Sequence, residues 1–274
     1  EINLDKSNDK YEYIAKLPKH IISIKTKDQL KAAMKNGIKN ICINPFIRDN
    51  QLDISCLNKE EINIYLKIPN IIKKEYNYIY EYISNNLDNI KGIITANLGI
   101  INDFKDKISI IGDYKLNMFN SYSLEFFKDI IYMGCLSTEL NKMEIKDVLK
   151  KSSIPVQLLL YGRIELMVSE YCPIGSSFSH KNKLKECNNV CQKDNFSLID
   201  RKGEKFPIVT DKFCRSHILN TVPLNLIQYI KELEEMGIHS FRMEFTDEDY
   251  NEVDKILKAF KNKNCKKDFK NYTM

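Results

Sequence analysis

Eight short apolar runs recur along the chain with helical stretches between them, and this alternation restricts the fold more than any other feature. The runs are His20–Lys25, Asn40–Asn44, Asn63–Ile72, Gly92–Leu98, Ile108–Ile111, Tyr132–Leu136, Val156–Leu160 and Ser240–Phe245. Helical periodicity marks Lys27–Lys35, Lys74–Asn86, Ser121–Ile131, Lys142–Lys150, Leu224–Met236 and Asp247–Lys261. The runs are mostly apolar on both faces, as strands are in a parallel sheet covered by helices. Eight strands with interleaved helices predict an α/β fold, a (β/α)8 TIM-like barrel. The count leans on two short runs, Asn40–Asn44 and Ile108–Ile111, so a doubly wound open sheet is the alternative.

The expected layout is a polar lead-in over 1–17, barrel strands one to seven over 18–169 and a cysteine-rich insertion over 170–222. The last helix–strand–helix follows over 223–262, then a basic tail over 263–274. At 274 residues, 43% hydrophobic and 29% charged, the chain can bury a sizeable core. No run of 18 apolar residues occurs, which removes a transmembrane helix, and the start lacks the basic-then-apolar layout of a signal peptide. A cytoplasmic, reducing location is the expectation. The chain opens on Glu1 and not Met, so it reads as an excerpt of a longer parent with other domains or as a processed product.

Four of the eight cysteines, Cys172, Cys187, Cys191 and Cys214, fall in the insertion with the spacing C-x14-C-x3-C-x22-C. In a reducing compartment, clustered cysteines more often bind metal or do redox chemistry than form disulfides. Four thiolates at one point would suit an iron–sulfur cluster or zinc, and the spacing leaves both open. Cys42 and Cys135 lie in apolar strands and read as core; Cys56 and Cys265 have no spacing that suggests a site. Between Phe178 and His217 nine basic residues, among them Lys181, Lys183, Lys185 and Lys193, face five acidic ones, so this segment carries +4 of the net +5. That suits a polyanionic partner such as RNA, and equally a solvated lysine-rich loop.

In a parallel barrel the reactive groups gather at the C-terminal ends of the strands. The polar residues there are Lys67, Asn97, Asn117, Asn120, Glu139, Arg163, Glu165, Arg242 and Glu244. Glu139, Arg163, Arg242 and Glu244 are the catalytic candidates, and Lys67 and Asn97 the candidates for holding a cofactor or donor. Each has a structural reading too: Asn97 and Asn120 can cap helices, and Lys67 and Arg163 can pair with a carboxylate at a strand end. His180 and His217 read as surface residues or donors beside the cysteines. No Gly-rich phosphate loop, H-E-x-x-H or G-x-S-x-G is present.

The stretch YGRIELMVSEYCPIGS, the C-x3-C pair, LIDRKGEKFPI and the Cys-Arg that follows resemble the signature region of the U32 family, first described as collagenase-like peptidases. The resemblance implies a barrel. STEL at Ser137–Leu140 resembles the family's R-E-L and supports Glu139. RMEF resembles its K-I-E-G-R and supports Arg242 and Glu244, with Phe245 and Thr246 in place of Gly and Arg. Many members have cysteine where this chain has Glu165; Cys187 and Cys191 would then both ligate, or Glu165 would replace a sulfur. The resemblance further implies a [4Fe–4S] cluster and dioxygen-independent hydroxylation of a pyrimidine in ribosomal or transfer RNA, with a dicarboxylate such as prephenate as donor on Lys67, Arg163 or Arg242. The alternatives are a U32 peptidase and a non-catalytic, metal-stabilised RNA-binding barrel of a larger protein.

Overall fold

The computed structural model describes residues 17–58, 61–178 and 187–263. The eight expected strands form: β1 (His20–Ser23), β2 (Asn40–Ile43), β3 (Asn63–Lys67), β4 (Gly92–Thr95), β5 (Ile110–Gly112), β6 (Met133–Cys135), β7 (Val156–Gly162) and, last in the chain, β13 (Ser240–Glu244). All eight run parallel. β6 pairs with β7, β7 with β13 and β13 with β1, so the sheet closes on itself.

Helices fill the connections where the local sequence supplies their ends. Thr26 and Gln29 make a reciprocal capping box at the start of Lys27–Lys35, as do Asn141 and Glu144 before Lys142–Lys150. The connection after β4, where no helical period is read from the sequence, holds the helix Leu98–Phe104. Three other helices are shorter than their periodicity suggested. Ser121–Phe126 stops before Ile131, the chain turning at Phe127. The last helix is Tyr250–Lys261, starting where Asp249 and Glu252 form a capping box. Leu224–Asn225 is not helical. It is strand β12, antiparallel to Tyr161–Gly162, and helix resumes only at Ile230–Met236. Burial explains this: Leu224, Leu226, Ile227 and Ile230 are all buried, and the Leu226 N–H bonds the Leu160 carbonyl instead of a helical partner.

Successive strand residues point in opposite directions, so each strand contributes a column to the barrel interior. Ile21, Cys42, Tyr65, Ile94, Ile111 and Met133 form one apolar interior layer. Two residues further along the strands, toward the mouth, the interior turns polar, with Ser23, Asn44, Lys67 and Asp113. Cys42 and Cys135 are buried as expected, and burial pushes both thiols up to about 12.

Between β7 and β12 lies a second, antiparallel sheet in the order β8 (Glu165–Ser169), β11 (Ser216–Leu219), β10 (Lys205–Thr210), β9 (Phe196–Ile199). It begins at Glu165, ahead of the expected start of the insertion at 170. Gly162 permits the departure from the barrel. Its φ is +142°, and a Cβ there would lie 2.7 Å from the Glu244 carbonyl oxygen, so a side chain would push β13 away.

Candidate active site at the barrel mouth

The polar interior layer is a network of charges drawn from three parts of the barrel. Arg242, in the middle of β13, is fully buried; its Nη2 donates to Asp113 Oδ1 at 2.5 Å and its Nε lies 3.1 Å from Glu244 Oε1. Glu244 in turn accepts from Lys67 Nζ with both oxygens, at 2.8 Å or less. Burial alone would raise the Asp113 pKa, but the Arg242 and Lys67 charges outweigh it and hold it at about 2. Burial likewise opposes the Lys67 charge, yet Glu244 and Asp113 more than offset it, and its pKa lies above the ordinary lysine value.

The inserted sheet roofs this network. The Glu165 carboxylate pairs with Lys115 through one oxygen and lies 2.7 Å from His217 Nδ1 through the other. His217 Nε2 is 3.6 Å from Asp211 Oδ2. Asp211 is itself buried, and its Oδ1 accepts the backbone N–H groups of Phe213 and Arg215. Arg215 reaches from the roof to Glu75 at the start of the helix Tyr76–Ser84. Between roof and floor is a cavity of about 350 Å³. Lys25, Lys67, Lys115, Arg163 and Arg215 line it, with Glu165, Asp211, Glu244 and His217.

Of the expected mouth residues, Lys67, Arg163, Glu165 and Glu244 reach this cavity. Arg163 donates to both Asp247 carboxylate oxygens, at 3.0 and 3.2 Å, and to the Asn220 carbonyl. Arg242 lies beneath the floor, so the expected pair of arginines facing one ligand is not formed; its Nη2 is bonded to Asp113 and its Nε lies against Glu244. Glu139 is exposed in the loop after β6 and is not among the residues lining the cavity. Asn97 is a cap: its Oδ1 accepts the Ile100 N–H at 3.1 Å, and its side-chain amide bonds the Asn70 carbonyl. Asn120 caps Ser121–Phe126. Sequence alone did not single out Lys25, Asp113, Lys115, Asp211 or Arg215 as site residues, and it read His217 as a surface residue or a donor beside the cysteines. Asp113 and Lys115 were within reach, because Gly-Asp-Tyr-Lys follows β5 directly at the mouth end. The roof residues could not be placed without the second sheet.

The four cysteines of the insertion are half-buried and lie outside the cavity lining. Cys214 has a left-handed backbone, φ +65°, and its Sγ accepts from Arg48 Nη2 at 2.8 Å. The same guanidinium donates to Asn189 Oδ1 at 3.0 Å and to the Asp211 carbonyl at 2.9 Å, tying the Cys187–Cys191 loop to the Cys214 turn. Cys172 Sγ accepts the Gly175 N–H at 3.2 Å, at the start of the helix Pro173–Phe178. Among the described residues, no three His, Cys, Asp or Glu side chains form a group that could hold a metal ion. As arranged, the thiols do not make the single S4 point that a cluster or zinc requires. Glu165, engaged by Lys115 and His217, does not stand in for a sulfur ligand. Lys193, Arg201, Lys202, Lys205 and Lys212 of the insertion are exposed. Lys181, Lys183, Lys185 and His180 lie outside the described residues, as does Cys265.

A closed eight-stranded α/β barrel with a charged mouth under an inserted sheet defines the class, a TIM-like barrel with its pocket where such barrels keep their chemistry. The chain belongs to Peptidase family U32, whose profile it matches over residues 54–271. No curated protein matches it. Among solved structures it is similar to the U32 peptidase Mk0906, at 7% identity over 85% of this chain and 94% of that one, with a TM-score of 0.49. It is also similar to a chitinase from Chromobacterium violaceum ATCC 12472, at 10% identity over 90% and 99% with a TM-score of 0.45. The spore cortex-lytic enzyme SleL of Bacillus megaterium QM B1551 is similar at 12% identity over 88% and 73%, again with a TM-score of 0.45. At these TM-scores the structural likenesses carry no functional weight.

Proposed function

We propose that this chain is a U32-family enzyme that works at its barrel mouth on a small carboxylate-bearing substrate. The observation that carries the reading is the roofed cavity itself, where five basic side chains, three carboxylates and His217 surround about 350 Å³. That volume is at the lower end of the roughly 300–1,000 Å³ of small-molecule sites. Its charges are fixed in advance by their partners, as in sites that stabilise a charged ligand without reorganising. Arg163 at the rim is held by Asp247 and by the Asn220 and Thr221 carbonyls, and so adds a fixed positive charge to the cavity wall.

The finer form of this reading is hydroxylation of an RNA pyrimidine with a prephenate-like dicarboxylate as donor. The exposed Lys193, Arg201, Lys202, Lys205 and Lys212 of the insertion favour a polyanionic partner. That chemistry would also need Cys172, Cys187, Cys191 and Cys214 to close on an iron–sulfur cluster, which iron analysis of anaerobically prepared protein tests. A peptidase reading has one observation behind it: Glu165 orients the His217 imidazole, which could then serve as a general base. Its Nε2, however, faces Asp211 and not a hydroxyl or thiol.

Calorimetric titration with prephenate and with succinate tests the anion site. Binding is expected, weakened at least about tenfold in Arg163→Gln by loss of that fixed charge. Failure of both dicarboxylates to bind would overturn the reading. Nucleoside mass spectrometry of RNA, run beside a casein cleavage assay, decides between hydroxylation and proteolysis.

A further inference from the structure

Two lysines share the mouth in opposite electrostatic situations. Both ammonium nitrogens approach the Tyr114 ring, Lys67 Nζ at 5.9 Å and Lys115 Nζ at 6.0 Å from its centroid. Lys67 is gripped by both oxygens of Glu244, with Arg242 and Asp113 behind it, and stays charged. For Lys115, burial and the Lys67 charge together bring the pKa down to about 8, against the pull of Asp113 and Glu244. Glu165 also favours the Lys115 charge from the roof, but it divides its carboxylate between Lys115 and His217. A desolvated lysine beside a second, fixed cation is a general arrangement for freeing an amine nucleophile. Groups of one kind pushed apart in one site mark separate chemical roles.

We propose that Lys115 is a nucleophilic amine that forms an imine with a small 2-oxo acid held in this cavity. The inference rests on the mouth being a small-anion site. The cations lining the cavity select a carboxylate, and a carbonyl adjacent to that carboxylate then lies next to the amine. In the step itself the neutral Lys115 Nζ adds to the carbonyl carbon. The carbonyl oxygen takes up a proton, becomes the hydroxyl of a carbinolamine and leaves as water after a second proton transfer, while nitrogen sheds both of its protons, one at each stage. The products are one imine and one water, and no oxidant or reductant is consumed. Glu165, paired with the Lys115 amine through one oxygen and with His217 through the other, is placed to carry these protons.

Reductive trapping tests the proposal. Protein is incubated with pyruvate or oxaloacetate and cyanoborohydride, then read by intact mass and peptide mapping. One reduced adduct on Lys115 is expected, lost in Lys115→Met and in Lys115→Arg. The arginine variant keeps the charge opposite Glu165, and circular dichroism confirms that it folds. No adduct, or adducts spread over exposed lysines and unchanged in both variants, would overturn the imine. Succinate has no carbonyl, so its calorimetric binding reports on the anion site alone. Succinate binding without an adduct removes the imine and leaves the anion site standing, whereas neither binding nor adduct removes both.

Discussion

The barrel mouth and the cysteine corner lie side by side, joined through Asp211, and they are built on opposite principles. At the mouth, Arg242, Asp113, Glu244 and Lys67 come from separate parts of the barrel and meet at its interior, Arg242 and Asp113 fully buried and each charge set against another. At the corner, Cys172, Cys187, Cys191 and Cys214 are half-buried, and a single guanidinium, Arg48, links two of its loops. The mouth is thus assembled by the closed barrel itself, while the corner is held by a few partly exposed hydrogen bonds. The difference teaches that a conspicuous motif need not be the best-organised part of a site. The cysteines stand out in the sequence, yet the charges at the strand ends are the ones paired across the barrel.

The sharpest way to break this contrast is to remove its central cation. Arg242→Met leaves Asp113 and Glu244 buried with only Lys67 for company, and losing one partner of a buried pair costs about 3–5 kcal/mol. Urea unfolding should show that loss, and a change under about 1 kcal/mol would mean the network is not tight. Acid is the next lever. The folded Asp113 pKa, about 2, lies below the unfolded value, so its contribution is fully present above pH ~4 and is lost as pH falls toward 2. On the order of 2 kcal/mol should disappear over that window. In Asp113→Asn the acid dependence should flatten.

The corner should respond more weakly and only locally. Arg48→Ala removes the link between Asn189 and Cys214 and should cost about 1–2 kcal/mol. Hydrogen exchange should rise in residues 187–215, with the barrel strands unchanged. Backbone strain can be isolated at Cys214: Gly and Ala both delete the thiol, but only Gly adopts φ +65° freely. Cys214→Gly should therefore be more stable than Cys214→Ala by roughly 1 kcal/mol in thermal melts. Smallest of all, Glu139→Gln should shift stability by no more than about 0.5 kcal/mol, as an exposed residue outside the cavity does.

Much of the architecture was legible in order along the chain. Each barrel strand is a local apolar run, and several helix starts are written as capping residues, Thr26 with Gln29 and Asp249 with Glu252. Leu224–Asn225 misled because its apolar spacing continues into the helix behind it, while pairing with β7 decides its conformation. The antiparallel roof was not legible, since its strands are short, half-exposed and dependent on one another. Glu165 stood out only as a departure from the family cysteine; its actual partners, Lys115 and His217, lie 50 and 52 residues away in the chain.

By itself the sequence determined the eight strands, their order and the family, because periodicity and motif spacing are local properties of the chain. It also determined that charged residues would cluster at one end of the barrel, since parallel strands place their C-terminal ends together. Only the tertiary structure decided which of those charges face a ligand and which face one another. Arg242 and Arg163 look equivalent as strand-end arginines, yet closure of β13 against β7 and β1 buries the first beside Asp113 and leaves the second at the rim. Burial depth and charge partners follow from contacts between residues far apart in the chain, and those contacts exist only once the barrel has closed.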